Sequence, residues 1–178
     1  MLYTRKGDDG TSGLFGSNSR LPKDCPLFEA LGSVDELNSL LGICFAKATA
    51  AGPTYERVAE LLRSVQQDLF IVQAELAGAD KKIDQPRVDR LEVSIAEIEQ
   101  EIEKPTSFVI AGGTELSAHL DYARAVSRRV ERQVIAARDT KPVCPETGKY
   151  LNRLSSFLYA LARLANTLAQ SAEERPTY

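Results

Sequence analysis

Apolar residues recur every three or four positions through most of the chain after residue 26. The last such run consists of Leu151, Leu154, Leu158, Leu161, Ala165 and Leu168, whose spacings alternate between three and four. This spacing is typical of a helix that buries one stripe against other helices. A strand would instead alternate apolar and polar residues. The pattern therefore predicts an all-α fold.

Four earlier segments show the same periodicity. They run from about residue 27 to 45, from 53 to 76, from 86 to 103 and from 114 to about 138. Asp24 and Thr114 are placed to cap the first and fourth helices. Gly78 is placed to end the second, because a residue without a Cβ accepts the left-handed conformation found after many helices.

Five helices with short connections predict an up-and-down bundle in one domain spanning residues 1–178. Residues 1–26 lack apolar periodicity and are rich in Gly, Asp, Ser and Pro, so we predict an arm that orders by itself or on a ligand. Residues 27–172 form the predicted bundle. Residues 173–178 are expected to fray.

Composition limits the function classes. The 22 basic and 25 acidic residues leave a net charge of -3, which gives no overall field for nucleic acid or an anionic membrane, so any basic site must be local. The odd number of cysteines without metal-ligand spacing, Cys25, Cys44 and Cys144, predicts reduced thiols and a cytoplasmic location. The single histidine, His119, excludes a His-rich metal centre and is expected on a helix surface or a pocket wall.

Glycines occupy every third position of the arm, at 7, 10, 13 and 16. Without a Cβ, these residues let backbone N–H groups converge on a phosphate. Positive charge and hydroxyl donors come from Arg5, Lys6, Thr11 and Ser12. Asp8 and Asp9 suit Mg²⁺, a hard ion that prefers oxygen ligands. The arm matches neither a Walker A loop nor a dinucleotide fingerprint, and a flexible terminus without a ligand is the alternative.

A stripe of arginines follows the fourth helix. Arg124, Arg128 and Arg132 step around only about 80° of the helix. Like charges four residues apart weaken a helix unless something neutralises them, and a polyphosphate would do so through bidentate contacts. Glu131 falls on the same sector, whereas Arg129 lies off it and is expected to face solvent or a neighbouring chain. The alternative is a solvated face with intrahelical Arg–Glu pairs.

Two further polar residues are candidates for the site. Asp35 lies on a face of small residues in the first helix, with Gly32, Ser39 and Gly42. If buried it needs a cationic partner, for which Arg124 is the candidate. Spacing leaves open whether that pair forms within a chain or between subunits, and whether it is only structural. Asn152 could read a base or a sugar, or could simply be a polar residue at a helix start.

The chain has no recognisable protein nucleophile. It contains no Gly-x-Ser-x-Gly motif and no Cys/His pairing. Phosphate contacts without a nucleophile suit chemistry in which a second substrate attacks, while the protein positions the reactants and stabilises charge.

Four blocks, in order, resemble the PduO-type ATP:cob(I)alamin adenosyltransferases. They are Tyr3 to Ser12 (YTRKGDDGTS), Gly32 to Asn38 (GSVDELN), Phe108 to Thr114 (FVIAGGT) leading into Ala123 to Arg132 (ARAVSRRVER), and Tyr150 to Ser155 (YLNRLS). The blocks span nearly the whole chain. Two positions depart from the family pattern, Ala111 in place of Pro and Lys6 in place of a frequent Thr, which leaves the local loop shape open.

The resemblance implies a five-helix bundle that assembles as a homotrimer, with each active site between adjacent subunits. It implies that the arm orders over ATP and that cobalt of cob(I)alamin attacks the 5′ carbon of ATP, giving adenosylcobalamin and triphosphate. Cob(II)alamin would be reduced first, so a flavin-dependent reductase and an adenosylcobalamin-dependent enzyme are the expected protein partners. Mg²⁺ would accompany ATP.

The resemblance also implies site residues by motif position. The ATP-binding set is Thr4, Arg5, Lys6, Gly7, Gly10, Thr11, Ser12, Lys23, Arg128, Arg129, Glu131, Arg132 and Asn152. The corrinoid-binding set is Asp35, Phe108 and Arg124, and these three with Arg128 are the expected catalytic residues. Asp35 and Arg124 match the family's intersubunit ion pair, and Phe108 matches the aromatic residue below cobalt.

Two other functions remain possible from the sequence. One is a helical module that binds and delivers the nucleotide or corrinoid without turning it over. The other is a helical RNA-binding or scaffold protein that uses the arginine stripe, although aromatic residues make up only 7% of the chain and offer little surface for base stacking.

Overall fold

The computed structural model describes residues 3–16 and 18–178. In the described residues the helices are α1 (Pro26–Ala50), α2 (Glu56–Leu76), α3 (Gln85–Glu101), α4 (Glu115–Ala136) and α5 (Pro145–Leu168). A short 3₁₀ turn, Pro53–Tyr55, precedes α2. The predicted all-α fold of five helices is confirmed.

Ion pairs and hydrogen bonds between helices give their directions. Lys47 at the end of α1 pairs with Glu115 at the start of α4, so these helices are antiparallel. Glu131 of α4 bonds to Asn152 of α5, and the end of α4 is therefore beside the start of α5. The start of α2 pairs with the end of α3, and the end of α2 bonds to the start of α5, so α2 is antiparallel to both helices. Helices α3 and α5 are therefore parallel to each other, and an ion pair joins them. The helices thus alternate up and down.

One hydrophobic core fills the bundle, because each helix buries the stripe that its periodicity defines. The largest fully buried side chains include Tyr150, Phe157, Leu62 and Leu120. Burial raises the pKa of the Tyr150 hydroxyl, which donates to buried Asp68 at 3.0 Å. Asp68 also pairs with arginines of α3, which tethers that helix to α2. No helix in the described part of the chain combines the length and apolar character needed to cross a bilayer.

Helix ends differ in part from the sequence expectations. Thr114 caps α4 as predicted, accepting from Ser117 N at 3.1 Å. Asp24 does not cap α1, which begins one residue later: Cys25 is the N-cap residue and makes no side-chain capping bond. Pro26 occupies the first helical position, where its missing N–H removes one of the amide groups that a capping side chain would satisfy.

The arm contains a small β-hairpin that the sequence did not predict. Strand β1 (Thr11–Gly13) pairs antiparallel with β2 (Arg20–Pro22). Strands of three residues show too few alternations to be recognised from periodicity. Phe15 N donates to the Ala77 carbonyl at 3.1 Å, so the hairpin is attached to the end of α2.

The C-terminal tail also differs from the expected frayed segment. The Glu174 carbonyl accepts from Ile110 N at 2.8 Å, and the Glu173 carboxylate lies 3.2 Å from Arg163 Nε. Glu173 and Pro176 are partly buried, whereas Tyr178 is fully exposed. The reason is a charge attraction between the tail and the bundle that apolar periodicity does not reveal.

Candidate active site

A wide cleft of about 1030 Å³ opens between the α3–α4 loop, α4, α5 and the C-terminal tail. Its walls include Phe108, Arg124, Arg128, Tyr159 and Tyr178. Pockets for drug-sized ligands have volumes of about 300–1,000 Å³. The cleft therefore has room for a large ligand, and its aromatic and cationic walls suit one with a flat apolar surface and polar edges.

Phe108 projects from the α3–α4 loop with 78% of its surface exposed. The loop shape depends on Gly112 and Gly113, whose φ angles are 139° and 92°. A Cβ at Gly113 would meet Asn166 Oδ1 at 2.6 Å, so glycine is required there for both conformation and space. Ser117 bonds back to the Gly112 carbonyl. The glycine pair thus holds an exposed aromatic ring at the cleft.

The arginine stripe leads out of this cleft. Arg124 is half-buried, with its Cζ 6.0 Å from the centre of the Tyr159 ring. Its Nε is buried and has no hydrogen-bond partner within the described residues. Arg128 and Arg132 are exposed, and only Arg128 also lines the cleft. Within the described residues none of the three forms an ion pair, so the stripe keeps its capacity to bind an anion.

The far end of the stripe is joined to α5. Asn152 Nδ2 donates to Glu131 Oε1 at 2.9 Å, and Asn152 Oδ1 accepts from Arg153 at 2.8 Å. Arg153 in turn pairs with Glu92 of α3 at 2.9 Å. Glu131 and Asn152 are therefore brought together, and the amide of Asn152 is orientated by its neighbours.

Arg129 faces a different direction. It pairs with Glu36 of α1 and lines a pocket of about 340 Å³ between α1 and α4. The position agrees with its expected place off the stripe. Within this chain Arg129 does not join the three arginines that lead from the cleft.

The arm is organised by its own side chains. Asp9 Oδ1 accepts from the Thr11 amide at 2.9 Å and from the Thr11 hydroxyl at 2.7 Å. The hydroxyl bond lowers the pKa of Asp9, with help from Arg20. Lys23 Nζ donates to the Gly7 carbonyl at 2.7 Å, and the Lys23 amide donates to the Gly10 carbonyl at 2.9 Å. These contacts fold the arm into a compact loop.

The remaining arm residues of the predicted set lie in the same loop. The Thr4 hydroxyl accepts from the Lys6 amide at 3.4 Å. Arg5 has a φ of 60° and stacks its guanidinium 5.5 Å from the centre of the Tyr3 ring. Ser12 lies in β1. The structure thus gathers all eight arm candidates, but the described residues show no hydrogen bond or ion pair between the arm and the arginine stripe.

Asp35 and Arg124 are also apart within the chain. Asp35 is exposed on α1, and its Oδ1 accepts from Gln73 Nε2 of α2 at 3.4 Å. Arg124 instead faces Tyr159 of α5. Of the alternatives left open by the sequence, an Asp35–Arg124 pair within one chain is not formed among the described residues.

The donor groups of the arm suit a metal that arrives with a polyphosphate. The described residues contain no group of three or more His, Cys, Asp or Glu side chains arranged to hold a metal ion. Mg²⁺ usually binds through one or two carboxylates together with phosphate oxygens and water. Asp8 is exposed and could supply one carboxylate, whereas Asp9 is engaged with Thr11.

Sequence reasoning missed three residues of this region. Arg20 donates to the Thr11 hydroxyl at 2.7 Å and to the Thr11 carbonyl at 2.9 Å, and also to the Lys6 carbonyl. Tyr159 and Tyr178 line the cleft. The available signal for Tyr159 was its place beside the apolar stripe of α5. No periodic pattern marks Arg20 or Tyr178.

The fold and the site define a helical-bundle protein with a large cleft and an adjoining stripe of arginines. A family model described as cobalamin adenosyltransferase matches residues 2–165. The chain belongs to that family.

Curated relatives and a solved structure agree with this assignment. The chain is 39% identical over 173 residues to a corrinoid adenosyltransferase of Citrobacter freundii, covering 93% of this chain and 95% of the relative. It is 34% identical to one of Bacillus subtilis, covering 93% and 86%. It also matches a variant PduO-type ATP:corrinoid adenosyltransferase from Lactobacillus reuteri complexed with cobalamin and ATP. That match has a TM-score of 0.88 and 31% identity, and it covers 97% of this chain and 95% of the other.

Proposed function

We propose that this protein is an ATP:cob(I)alamin adenosyltransferase, which transfers the 5′-deoxyadenosyl group of ATP to the cobalt of a reduced corrinoid. The observation that carries the proposal is that two members of the arginine stripe, Arg124 and Arg128, also form part of the wall of the cleft. A corrin ring in the cleft and a triphosphate on the stripe would therefore lie next to each other. Relatives named corrinoid adenosyltransferase support the same activity.

The proposed reaction is a displacement at carbon. The electron pair of cob(I)alamin attacks the 5′ carbon of ATP and forms the cobalt–carbon bond, while the bond from that carbon to the triphosphate oxygen breaks. Cobalt is formally oxidised by two electrons, and the departing triphosphate carries the electron pair of the broken bond. No protein base is needed, which fits a site without a nucleophile–base pair. The organometallic reactivity belongs to the corrinoid.

The protein's contribution is electrostatic. Arg128 and Arg132 would balance charge on the leaving triphosphate, and preorganised charges of this kind commonly provide large rate effects. Mg²⁺, held by triphosphate oxygens and an arm carboxylate, would supply further charge stabilisation. The remaining ATP contacts are the arm set of Thr4, Arg5, Lys6, Gly7, Gly10, Thr11, Ser12 and Lys23, together with Arg129, Glu131 and Asn152.

Phe108 has a separate proposed role. Its exposed ring lies at the cleft, where it would occupy the lower axial side of a bound corrinoid. Crowding on that side favours loss of the lower ligand, so that cobalt becomes easier to reduce. This role follows from the family resemblance and from the position of the ring.

We also propose that the protein acts as a homotrimer with active sites between subunits. Three features support this assembly. Among the described residues, exposed Asp35 and half-buried Arg124 do not pair with each other, Arg129 faces away from the stripe, and the arm bonds to the end of α2 and not to α4. An arm and Asp35 supplied by a neighbouring subunit would complete each site. In this proposal residues 1–26 are the ATP arm of a single domain.

Location and protein partners are further parts of the proposal. Three free cysteines support a cytoplasmic location. Because cob(I)alamin requires a reductant, a flavin-dependent reductase is the proposed electron donor, and an adenosylcobalamin-dependent enzyme is the proposed recipient of the product.

The test is a strictly anaerobic assay with ATP, Mg²⁺ and chemically reduced cobalamin, followed through the visible spectrum. Formation of the cobalt–carbon product with one triphosphate per turnover is expected. Binding of both ligands without product would favour the delivery module. A reaction mixture without ATP is the control.

A further inference from the structure

A buried guanidinium lies behind the wall of the cleft. Only 2% of Arg163 on α5 is exposed, and it pairs with Asp121 of α4, which is 6% exposed. Removing an arginine from water is costly unless carboxylates compensate its charge and satisfy its donors. Asp121 bonds only one edge of the guanidinium, so the Nε side remains to be compensated.

Glu173, the first residue of the C-terminal tail, supplies the second carboxylate. Its Oε1 lies 3.2 Å from Arg163 Nε, an ion pair without hydrogen-bond geometry, and accepts a hydrogen bond from Asn166 Nδ2 at 3.0 Å. The next residue, Glu174, accepts from Ile110 N at 2.8 Å through its backbone carbonyl. The tail is therefore held by charge to α5 and by a backbone bond to the loop that carries Phe108.

These contacts hold two residues of the tail and the Tyr159 ring at the wall of the cleft. Pro176 and Tyr178 of the tail line it, as does Tyr159, whose ring centre is 4.9 Å from the Arg163 Cζ. Glu173 itself is not part of the cleft wall and would not touch a ligand there. Arg163 thus contacts both the Tyr159 ring and Glu173 of the tail, and the tail is in turn bonded to the Phe108 loop.

We propose that Glu173 is a positioning residue for the corrinoid: its contact with Arg163 docks the tail and so completes one wall of the cleft. This inference rests on the proposed function. Removing the carboxylate would release the tail while leaving the Asp121–Arg163 pair in place. The loss should therefore affect the corrinoid site and not the arm that is expected to bind ATP.

The experiment compares Glu173→Ala with Glu174→Ala in the full chain. The control removes the neighbouring carboxylate, but the bond from Ile110 to the backbone of residue 174 can persist. Hydrogen exchange of residues 108–112 without ligand reports tail docking, titration with cob(II)alamin in the presence of ATP reports the cleft, and titration with ATP alone reports the arm. Thermal unfolding shows whether the bundle remains intact.

We expect Glu173→Ala to accelerate exchange at Ile110 and to weaken corrinoid binding roughly tenfold, since it removes the Arg163 ion pair and the hydrogen bond from Asn166, and hydrogen bonds to charged groups have effects of this order. ATP binding should match that of wild type, and Glu174→Ala should change neither property. Corrinoid binding by Glu173→Ala equal to wild type would overturn the inference, even if its melting temperature fell. A wild-type protein that bound no corrinoid would instead refute the proposed function itself.

Discussion

Gln73 Nε2 lies 3.4 Å from Asp35 Oδ1, so Asp35 faces α2, whereas Arg124 faces α5 through the ring of Tyr159. The two residues of the expected ion pair therefore point to different sides of one chain. A second subunit can bring them together without any change of fold.

Substitution of Asp35 by Asn tests that arrangement. Because Asp35 is exposed and bonds only weakly to Gln73, we expect the helical content to be retained. Loss of one member of a charge pair at an interface should weaken corrinoid binding by about tenfold or more and lower the stability of the trimer. Light scattering and corrinoid titration measure both effects. The matched control is Asp89→Asn on α3, and loss of folding in Asp35→Asn would assign the residue to the bundle instead.

Arg128→Ala tests the arginine stripe. Arg128 is exposed at the cleft and forms no ion pair within the described residues, so its removal should leave stability almost unchanged. Loss of a charged group that stabilises the leaving triphosphate should lower kcat by about 10²-fold, with weaker ATP binding. The control is Arg138→Ala, beyond the end of α4. Unchanged ATP affinity and rate in Arg128→Ala would mean that the stripe is only a solvated surface.

Phe108→Ala distinguishes an effect on the corrinoid reaction from an effect on ATP binding. With 78% of its surface exposed, Phe108 contributes little to the core, and its truncation should spare folding and ATP affinity. The rate with cob(II)alamin under reducing conditions should fall, because the lower ligand is no longer displaced. Stopped-flow spectra measure that step. The control is Phe70→Ala, which removes an exposed aromatic ring from α2. A wild-type rate in Phe108→Ala would exclude the Phe108 ring from the mechanism.

The sequence predicted those parts of the molecule whose residues recur at helical spacing. Helical periodicity identified all five helices, and four-residue spacing identified the face of Arg124 and Arg128. It did not predict the hairpin around Thr11 or the docked tail at Glu173, because each depends on single contacts between residues distant in sequence. Nor could it locate Asp35 relative to Arg124, since spacing along a helix does not determine which neighbour that helix faces.

Arg20 should affect ATP binding indirectly, by holding the arm in shape. Its guanidinium donates to the hydroxyl and carbonyl of Thr11 at 2.7 and 2.9 Å, a geometry that Lys cannot reproduce with a single ammonium group. We expect Arg20→Ala and Arg20→Lys both to raise the KM for ATP, the first by roughly tenfold, with little change in corrinoid affinity or melting temperature. Steady-state kinetics measure the effect. A wild-type KM in Arg20→Lys would show that charge alone is sufficient.

The buried thiol of Cys44 predicts a pH dependence of stability. Burial raises its pKa from 9.0 to about 12, so the fold favours the protonated form. The full contribution is present below pH 9, where the thiol is protonated in both states. As the pH rises from 9 towards 12, the unfolded chain ionises first, and the free energy of unfolding should fall by up to about 1.4 kcal/mol for each pH unit. Tyr150, whose pKa burial also raises, adds to this loss at higher pH.

Cys44→Ala distinguishes the contribution of the thiol to this pH dependence from that of Tyr150. The variant should be less stable at neutral pH because it leaves a small cavity, but its stability should decline less steeply above pH 9. Denaturant unfolding at a series of pH values gives both slopes. Equal slopes in the variant and the wild type would mean that the Cys44 thiol ionises as readily in the fold as in the unfolded chain.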